Sequence, residues 1–218
     1  MAENVKAKKS LALKILARLK RGYPKAKIAL NYSNNIQFLV AVILSAQCTD
    51  KKVNEVTVKL FKKYKTAREI ARASHATFER EIKSTGFFRA KTKSIISAAK
   101  MIEEKFGGKL PQTMAEMVKL PGVGRKTANI VLGNAYGVPG LTVDTHMIRL
   151  NRRLGLTQNS DPVKIEFDLM KAVPQEDWTS LAHLFIDHGR AVCKAPKPRC
   201  EACKLTVYCD YYLEKRKT

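Results

Sequence analysis

The stretch Leu120-Pro121-Gly122-Val123-Gly124-Arg125-Lys126 constrains this chain more than any other. Apolar residues at helical spacing flank it on both sides, among them Met114, Met117, Ala128, Val131 and Leu132, so the segment reads as helix, tight hairpin, helix. Pro121 is expected to end the first helix, and the two glycines to take up backbone angles that other residues resist. A Gly-x-Gly turn opening a helix aims several unpaired amide N–H groups at one spot, where the helix dipole also favours negative charge. Without a ligand this would be a glycine-capped helix hairpin. With one, it is a phosphate site built from backbone.

Charge points to where the phosphate would come from. Lys and Arg number 41 against 19 Asp and Glu, a formal net charge of +22 over 218 residues. Such an imbalance calls for a polyanionic partner, and nucleic acid is the commonest. A membrane surface is the rival, but no strongly amphipathic basic helix stands out. The length allows one large or two modest domains, each with its own core. Met1 to Lys9 is polar and basic, unlike a signal peptide. The longest apolar run, Ile36 to Ala46, contains Gln37 and Ser45 and falls well short of a roughly 20-residue membrane span. A soluble intracellular protein is expected.

The cysteines are unevenly placed. Four of the five lie in Cys193-x6-Cys200-x2-Cys203-x5-Cys209, enough thiolates within 17 residues to enclose one metal centre. Structural zinc usually shows two short Cys-x2-Cys knuckles, and only Cys200 to Cys203 is one. Zinc and paired disulfides are the alternatives at this point. Cys48, at the end of the apolar run, reads as a packed thiol.

Along the chain, Leu11, Ile15 and Leu19 share one face of a basic N-terminal helix ending near Gly22-Tyr23-Pro24. Ile36 to Ala46 reads as a helix apolar on nearly all sides, and Val53 to Tyr64 as an amphipathic one. Ser74 is expected to cap a helix carrying Phe78 and Ile82, whose neighbour carries Ile95, Ile96, Ala99 and Ile102. Gly86-Phe87-Phe88-Arg89-Ala90-Lys91 reads as the loop between them. Phe106 to Pro111 and Gly137 to Gly140 are breaks. Val143-Asp144-Thr145-His146 opens a helix through Met147, Leu150 and Leu154, Asp161 with Pro162 caps another, and Trp178 to Ile186 makes the last long one. No alternating strand pattern appears, so the fold is expected to be all-α.

The hairpin, with Leu-Pro before it and Arg125 and Lys126 after it, resembles the helix-hairpin-helix element of DNA repair glycosylases. The order of elements from about Ile28 to Cys209, with the cysteine spacing, resembles the endonuclease III family. That resemblance implies two helical domains: residues 28–138 as a six-helix barrel holding the hairpin, and residues 1–27 with 139–218 as a discontinuous domain. DNA would lie in the cleft between them. It also implies a 4Fe-4S cluster on Cys193, Cys200, Cys203 and Cys209, with the basic loop of Lys194, Lys197 and Arg199 set against phosphates.

Removing a damaged base and nicking the strand needs an amine that attacks C1′, and a lysine can do so only when neutral. Catalytic lysines are brought to that state by burial and neighbouring positive charge. Lys126, two places after the second glycine, matches the family's catalytic lysine, and both the helix dipole and Arg125 disfavour an ammonium there. Asp144 matches its carboxylate partner, while its position also suits a helix N-cap. Gln47, Phe87 and His146 match the positions that fill the gap left by a swung-out nucleotide. Phe87 departs from the leucine associated with bacterial members, so core packing is an alternative role for it. Gly122, Gly124 and Arg125 would hold the phosphate.

The expected activity is a DNA N-glycosylase with β-eliminating AP lyase action on oxidised pyrimidines in duplex DNA. The expected protein is a monomer of the cytoplasm or nucleoid, with no membrane partner. Two other readings are an adenine-removing enzyme of the same superfamily and a non-catalytic DNA-binding protein. The adenine branch carries a catalytic Glu where Ile43 stands and typically lacks a lysine at position 126, which favours the lyase.

Overall fold

The computed structural model describes residues 2–216; Met1, Lys217 and Thr218, at the outer ends of the expected discontinuous domain, lie outside the described residues. The described chain is helical and holds no strand. In chain order the helices are α1 (Ala2–Gly22), α2 (Asn35–Ser45), α3 (Asp50–Lys63), α4 (Ala67–Ala71), α5 (His75–Ile82) and α6 (Phe88–Phe106). The order continues with α7 (Met114–Met117), α8 (Arg125–Tyr136), α9 (Thr145–Arg153), α10 (Pro162–Ala172), α11 (Trp178–Ala191) and α12 (Asp210–Lys215). None of the described helices is long and apolar enough to cross a membrane.

Two compact units emerge from the packing: Ala29–Val138, and a second that joins the residues up to Ile28 to those from Pro139 onward. In the first, α2 is the central element. Its side chains from Gln37 to Leu44 are all buried, and α3, α6 and α8 pack around it. A helix apolar on every face needs neighbours on every face, and that requirement explains its position. Phe38, Phe78, Ile82, Ile95, Ile96 and Ile102 are completely enclosed here. In the second unit Ile15 and Leu19 of α1 join Leu150 of α9, Ile165 and Leu169 of α10, and Leu184 and Phe185 of α11 in one apolar cluster.

Helix ends follow local hydrogen bonding. Asn34, Thr49, Thr113 and Asp161 each accept a bond from a backbone N–H in the first turn of α2, α3, α7 and α10. Thr49 starts α3 at Asp50, earlier than Val53. Thr66 and Glu69 form a reciprocal capping box that sustains the short α4, which apolar periodicity did not anticipate. Ser74 precedes α5 but makes no side-chain cap bond, contrary to expectation. The segment from Gly86 to Lys91 is not all loop: α6 begins at Phe88.

The hairpin also departs in detail from its sequence reading. α7 is a single turn that ends at Met117, ahead of Pro121, and buried Leu120 and Val123 anchor the bend. Only one glycine requires its special freedom: Gly122 has φ +77, and a Cβ there would lie 2.5 Å from Cβ of Ser94 on α6. Gly124 has φ −87 and ψ 175, ordinary extended backbone, with open space at its Cβ position.

The two glycines should respond differently to substitution. Gly122→Ala is expected to destabilise by about 2–4 kcal/mol, combining left-handed strain with the clash, whereas Gly124→Ala should stay within about 1 kcal/mol. Urea unfolding of the two variants checks this, and equal losses would contradict the assignment of the turn to Gly122.

Candidate functional site

In the 29–138 unit, α8 opens directly after the bend with Gly124 as N-cap. Glycine has no side chain to accept from the first-turn N–H groups, and no acidic residue stands in that turn. The first intrahelical bond is Ala128 N–H to Gly124 O at 2.9 Å, so the amides ahead of it have no acceptor within the helix. A helix N-terminus of this kind suits an anion. Lys126 sits in this turn with its side chain exposed and Arg125 half-buried beside it. The burial anticipated for a nucleophilic amine is therefore not supplied locally.

Gln47 and Phe87 share an uncommon backbone state. They are the two described non-glycine residues with positive φ, +53 and +48. Both are exposed, Phe87 to 64%, so core packing does not account for Phe87. A side chain in the left-handed region carries roughly 1–2 kcal/mol of strain, which persists only where surrounding structure enforces it. Cys48, next to Gln47, is half-buried rather than packed in the core.

Asp144 belongs to the other unit. It caps α9, its Oδ1 accepting from Met147 N–H at 2.8 Å. His146, half-buried in the first turn, has Nδ1 3.1 Å from Nη2 of Arg149. The same guanidinium donates to Cys193 O through Nη2 at 3.0 Å and Nε at 3.3 Å. One turn on, Arg153 donates to Cys193 Sγ at 3.2 Å, Lys194 O at 2.9 Å and Ala195 O at 2.9 Å, and stacks over Tyr211. α9 thus links the Asp144 cap to the start of the basic loop, whose Lys194, Lys197 and Arg199 are all exposed.

All four tail cysteines are free thiols, Cys209 buried and Cys193, Cys200 and Cys203 half-buried. Burial, reinforced by the other three sulfurs and opposed by the Tyr212 N–H, raises the Cys209 pKa to about 11. Cys203 is raised for the same reasons, opposed by the Leu205 N–H that donates to its sulfur at 3.4 Å. Thiolates so placed call for a compensating cation, and the donors from Arg153 and Leu205 suit sulfur in that form. Cys209 differs, donating as a thiol to Arg153 O at 3.3 Å, a bond that a ligand thiolate would give up. Among the described residues no three His, Cys, Asp or Glu side chains converge tightly enough to hold a single ion.

Behind Cys203 lies a polar pair that sequence reasoning missed. His188 is buried, which lowers its pKa to about 4 and keeps the imidazole neutral. Its Nε2 is 3.6 Å from Cys203 Sγ and its Nδ1 is 3.0 Å from the Tyr23 hydroxyl. With a thiolate at Cys203, Nε2–H would donate to sulfur and Tyr23 O–H to Nδ1. Tyr23 and His188 stand 165 residues apart, so only the fold discloses the pairing.

Known proteins place the chain firmly. Residues 40–175 match the family described as HhH-GPD superfamily base excision DNA repair protein. An endonuclease III from Synechocystis sp. is 52% identical over 204 residues, covering 93% of each chain. A solved non-covalent endonuclease III–DNA complex superposes with TM-score 0.91 at 38% identity, covering 96% of this chain and 99% of that one. A trapped endonuclease III–DNA covalent intermediate gives TM-score 0.91 at 39% identity with the same coverage. By sequence and by fold alike, the chain belongs to the HhH-GPD superfamily of base-excision DNA repair proteins and, within it, to the endonuclease III family.

Proposed function

We infer that this protein is a base-excision DNA glycosylase with AP lyase activity, acting on oxidised pyrimidines in duplex DNA, and propose Lys126 as its nucleophile. The observation that carries the assignment is the position of Lys126: a primary amine in a first helical turn whose amides lack intrahelical acceptors, in a chain alike in fold to an enzyme captured covalently on DNA. The bend would hold a backbone phosphate through Gly122, Gly124 and Arg125. Gln47, Phe87 and His146 would fill the space of the extruded nucleotide.

Neutral Lys126 Nζ attacks C1′, the glycosidic bond breaks and the base departs with the bonding electrons. Asp144, its second oxygen left over from capping, stabilises the positive charge that grows on the sugar and assists proton transfer at the amine. Nζ gives up its proton and the C1′–O4′ bond breaks, O4′ taking up a proton, which leaves an iminium at C1′. A proton then leaves C2′, its electrons form the C2′–C3′ double bond and the 3′ phosphate departs with the C3′–O bonding pair. Ile43, buried in α2, occupies the place where the adenine-removing branch has its catalytic Glu, and that supports the lyase.

Cys193, Cys200, Cys203 and Cys209 would hold a 4Fe-4S cluster. The spacing, with Cys200 to Cys203 as its one short Cys-x2-Cys knuckle, suits such a cluster better than a structural zinc. When bound, the cluster would cross-link the tail beneath the basic loop, which Arg153 already grips at Lys194 and Ala195.

Three outcomes are expected. Borohydride added with abasic-site DNA should leave a covalent adduct that Lys126→Ala abolishes while DNA binding persists; an undiminished adduct in that variant would assign the chemistry to another amine. Affinity should fall steeply with salt, with a log–log slope of roughly −0.9 per phosphate contact, and a flat response would contradict a phosphate-held complex. Purified protein should contain about four iron atoms per chain and lose them on Cys200→Ser; one equivalent of zinc would refute the cluster.

A further inference from the structure

Lys91 takes no part in the chemistry above, yet it stands where a lysine is costly. It lies in the first turn of α6, 5% exposed, although lysines are almost never fully buried without partners. Its partners are two carbonyls: Nζ donates to Leu44 O at 2.8 Å and to Thr85 O at 2.7 Å. Leu44 is in the last turn of α2, where carbonyls lack intrahelical donors and the dipole favours a cation. Thr85 closes the 3-10 turn Lys83–Thr85.

Each of these carbonyls stands just ahead of a strained position in the chain. Leu44 is three residues before Gln47 and Thr85 two before Phe87, the two left-handed non-glycine residues. Lys91 also holds the far side of the second loop, its backbone N–H donating to Phe87 O at 3.0 Å. Burial lowers the ammonium's pKa, a cost that charge-assisted bonds to two carbonyls offset. A methionine would fill the same volume but could not join segments 41 residues apart in sequence.

We propose that Lys91 is a positioning residue that fixes the spacing of Gln47 and Phe87, so that both side chains enter the base stack as one two-pronged wedge. This rests on the reading of those two residues as gap-filling. A stacked duplex pushes back on anything inserted into it, and prongs on two separate loops splay under that load unless their bases are tied. The Lys91 ammonium is the tie.

The test compares Lys91→Met and Lys91→Arg with the Gln47→Ala/Phe87→Ala double variant and with Lys91→Met placed in that double variant. Two substrates separate the steps: a duplex with an oxidised pyrimidine, and a single-stranded oligonucleotide with an abasic site, where nothing has to be wedged out. Lys91→Met should slow single-turnover excision from duplex roughly ten- to hundredfold, while borohydride trapping on the single strand stays near wild type. Its effect on duplex should largely vanish when Gln47 and Phe87 are already alanine, and Lys91→Arg, which retains donors, should recover part of the rate. The proposal is overturned if single-strand trapping falls in step with duplex excision, or if the loss persists in full without the two prongs. Should the Gln47→Ala/Phe87→Ala variant excise normally, the gap-filling reading falls and this proposal with it; should that variant be impaired and Lys91→Met not, only the role of Lys91 falls. If thermal melting shows Lys91→Met unfolded, Lys91→Arg takes its place in the cycle, and the same two results overturn the proposal.

Discussion

At residue 122 the chain turns left-handed against the side of α6, and Ser94 occupies the space that any Cβ would need. That close approach fixes the bend, the bend fixes the first residue of α8, and the first turn of α8 carries both Lys126 and the amides that have no acceptor within the helix. The same helix sets the neighbouring loops. Phe87 caps α6, and Lys91 and Ser94 follow in its first turns, so the exposed ring, the buried ammonium and the contact to the bend lie at one end of the helix. Displacing α6 would therefore shift every element of the 29–138 unit to which a role at the DNA is assigned. Ile95, Ile96 and Ile102, fully enclosed on the same helix, are what resist such displacement.

In the other unit α9 has the corresponding part. Asp144 uses one carboxylate oxygen to satisfy the helix N-terminus, which orients the carboxylate as a whole. From there Arg149 and Arg153, one helical turn apart, reach Cys193 and the two residues after it. Two guanidiniums beside a set of mutually repelling sulfurs lower the electrostatic cost of gathering them, and neutral His188 adds a donor without adding charge. The cysteine tail is thus secured to α9 by hydrogen bonds between protein groups alone.

Much of this was legible in the sequence, because several features are local. Capping by Asp144 and Asp161, the stops at Gly107 and Gly137, and the buried α2 all depend on residues within a turn of one another. What escaped depends on distance or on unusual backbone. Nothing in the composition of Gly86-Phe87-Phe88 signals that an aromatic residue will enter the left-handed region and let α6 start one residue later. Lys91 read only as the last residue of the Gly86 to Lys91 loop, since the carbonyls that justify its burial come from Thr85 and from a different helix. Arg149, Arg153, Tyr23 and His188 could not be singled out, as each meets its partner more than 35 residues away. The two glycines of the bend look equivalent in sequence, and only the folded backbone, with the packing of Ser94, tells them apart.

The central claim is that one amine of this chain forms a bond to the sugar. Protease digestion of the borohydride-reduced protein–DNA adduct, followed by mass spectrometry of the peptide that carries the nucleotide, tests it directly. The account predicts a single modified peptide spanning the Gly122–Lys126 bend, with the sugar remnant on Lys126 Nζ. Modification of the N-terminal amine, or spread over several surface lysines, would contradict it.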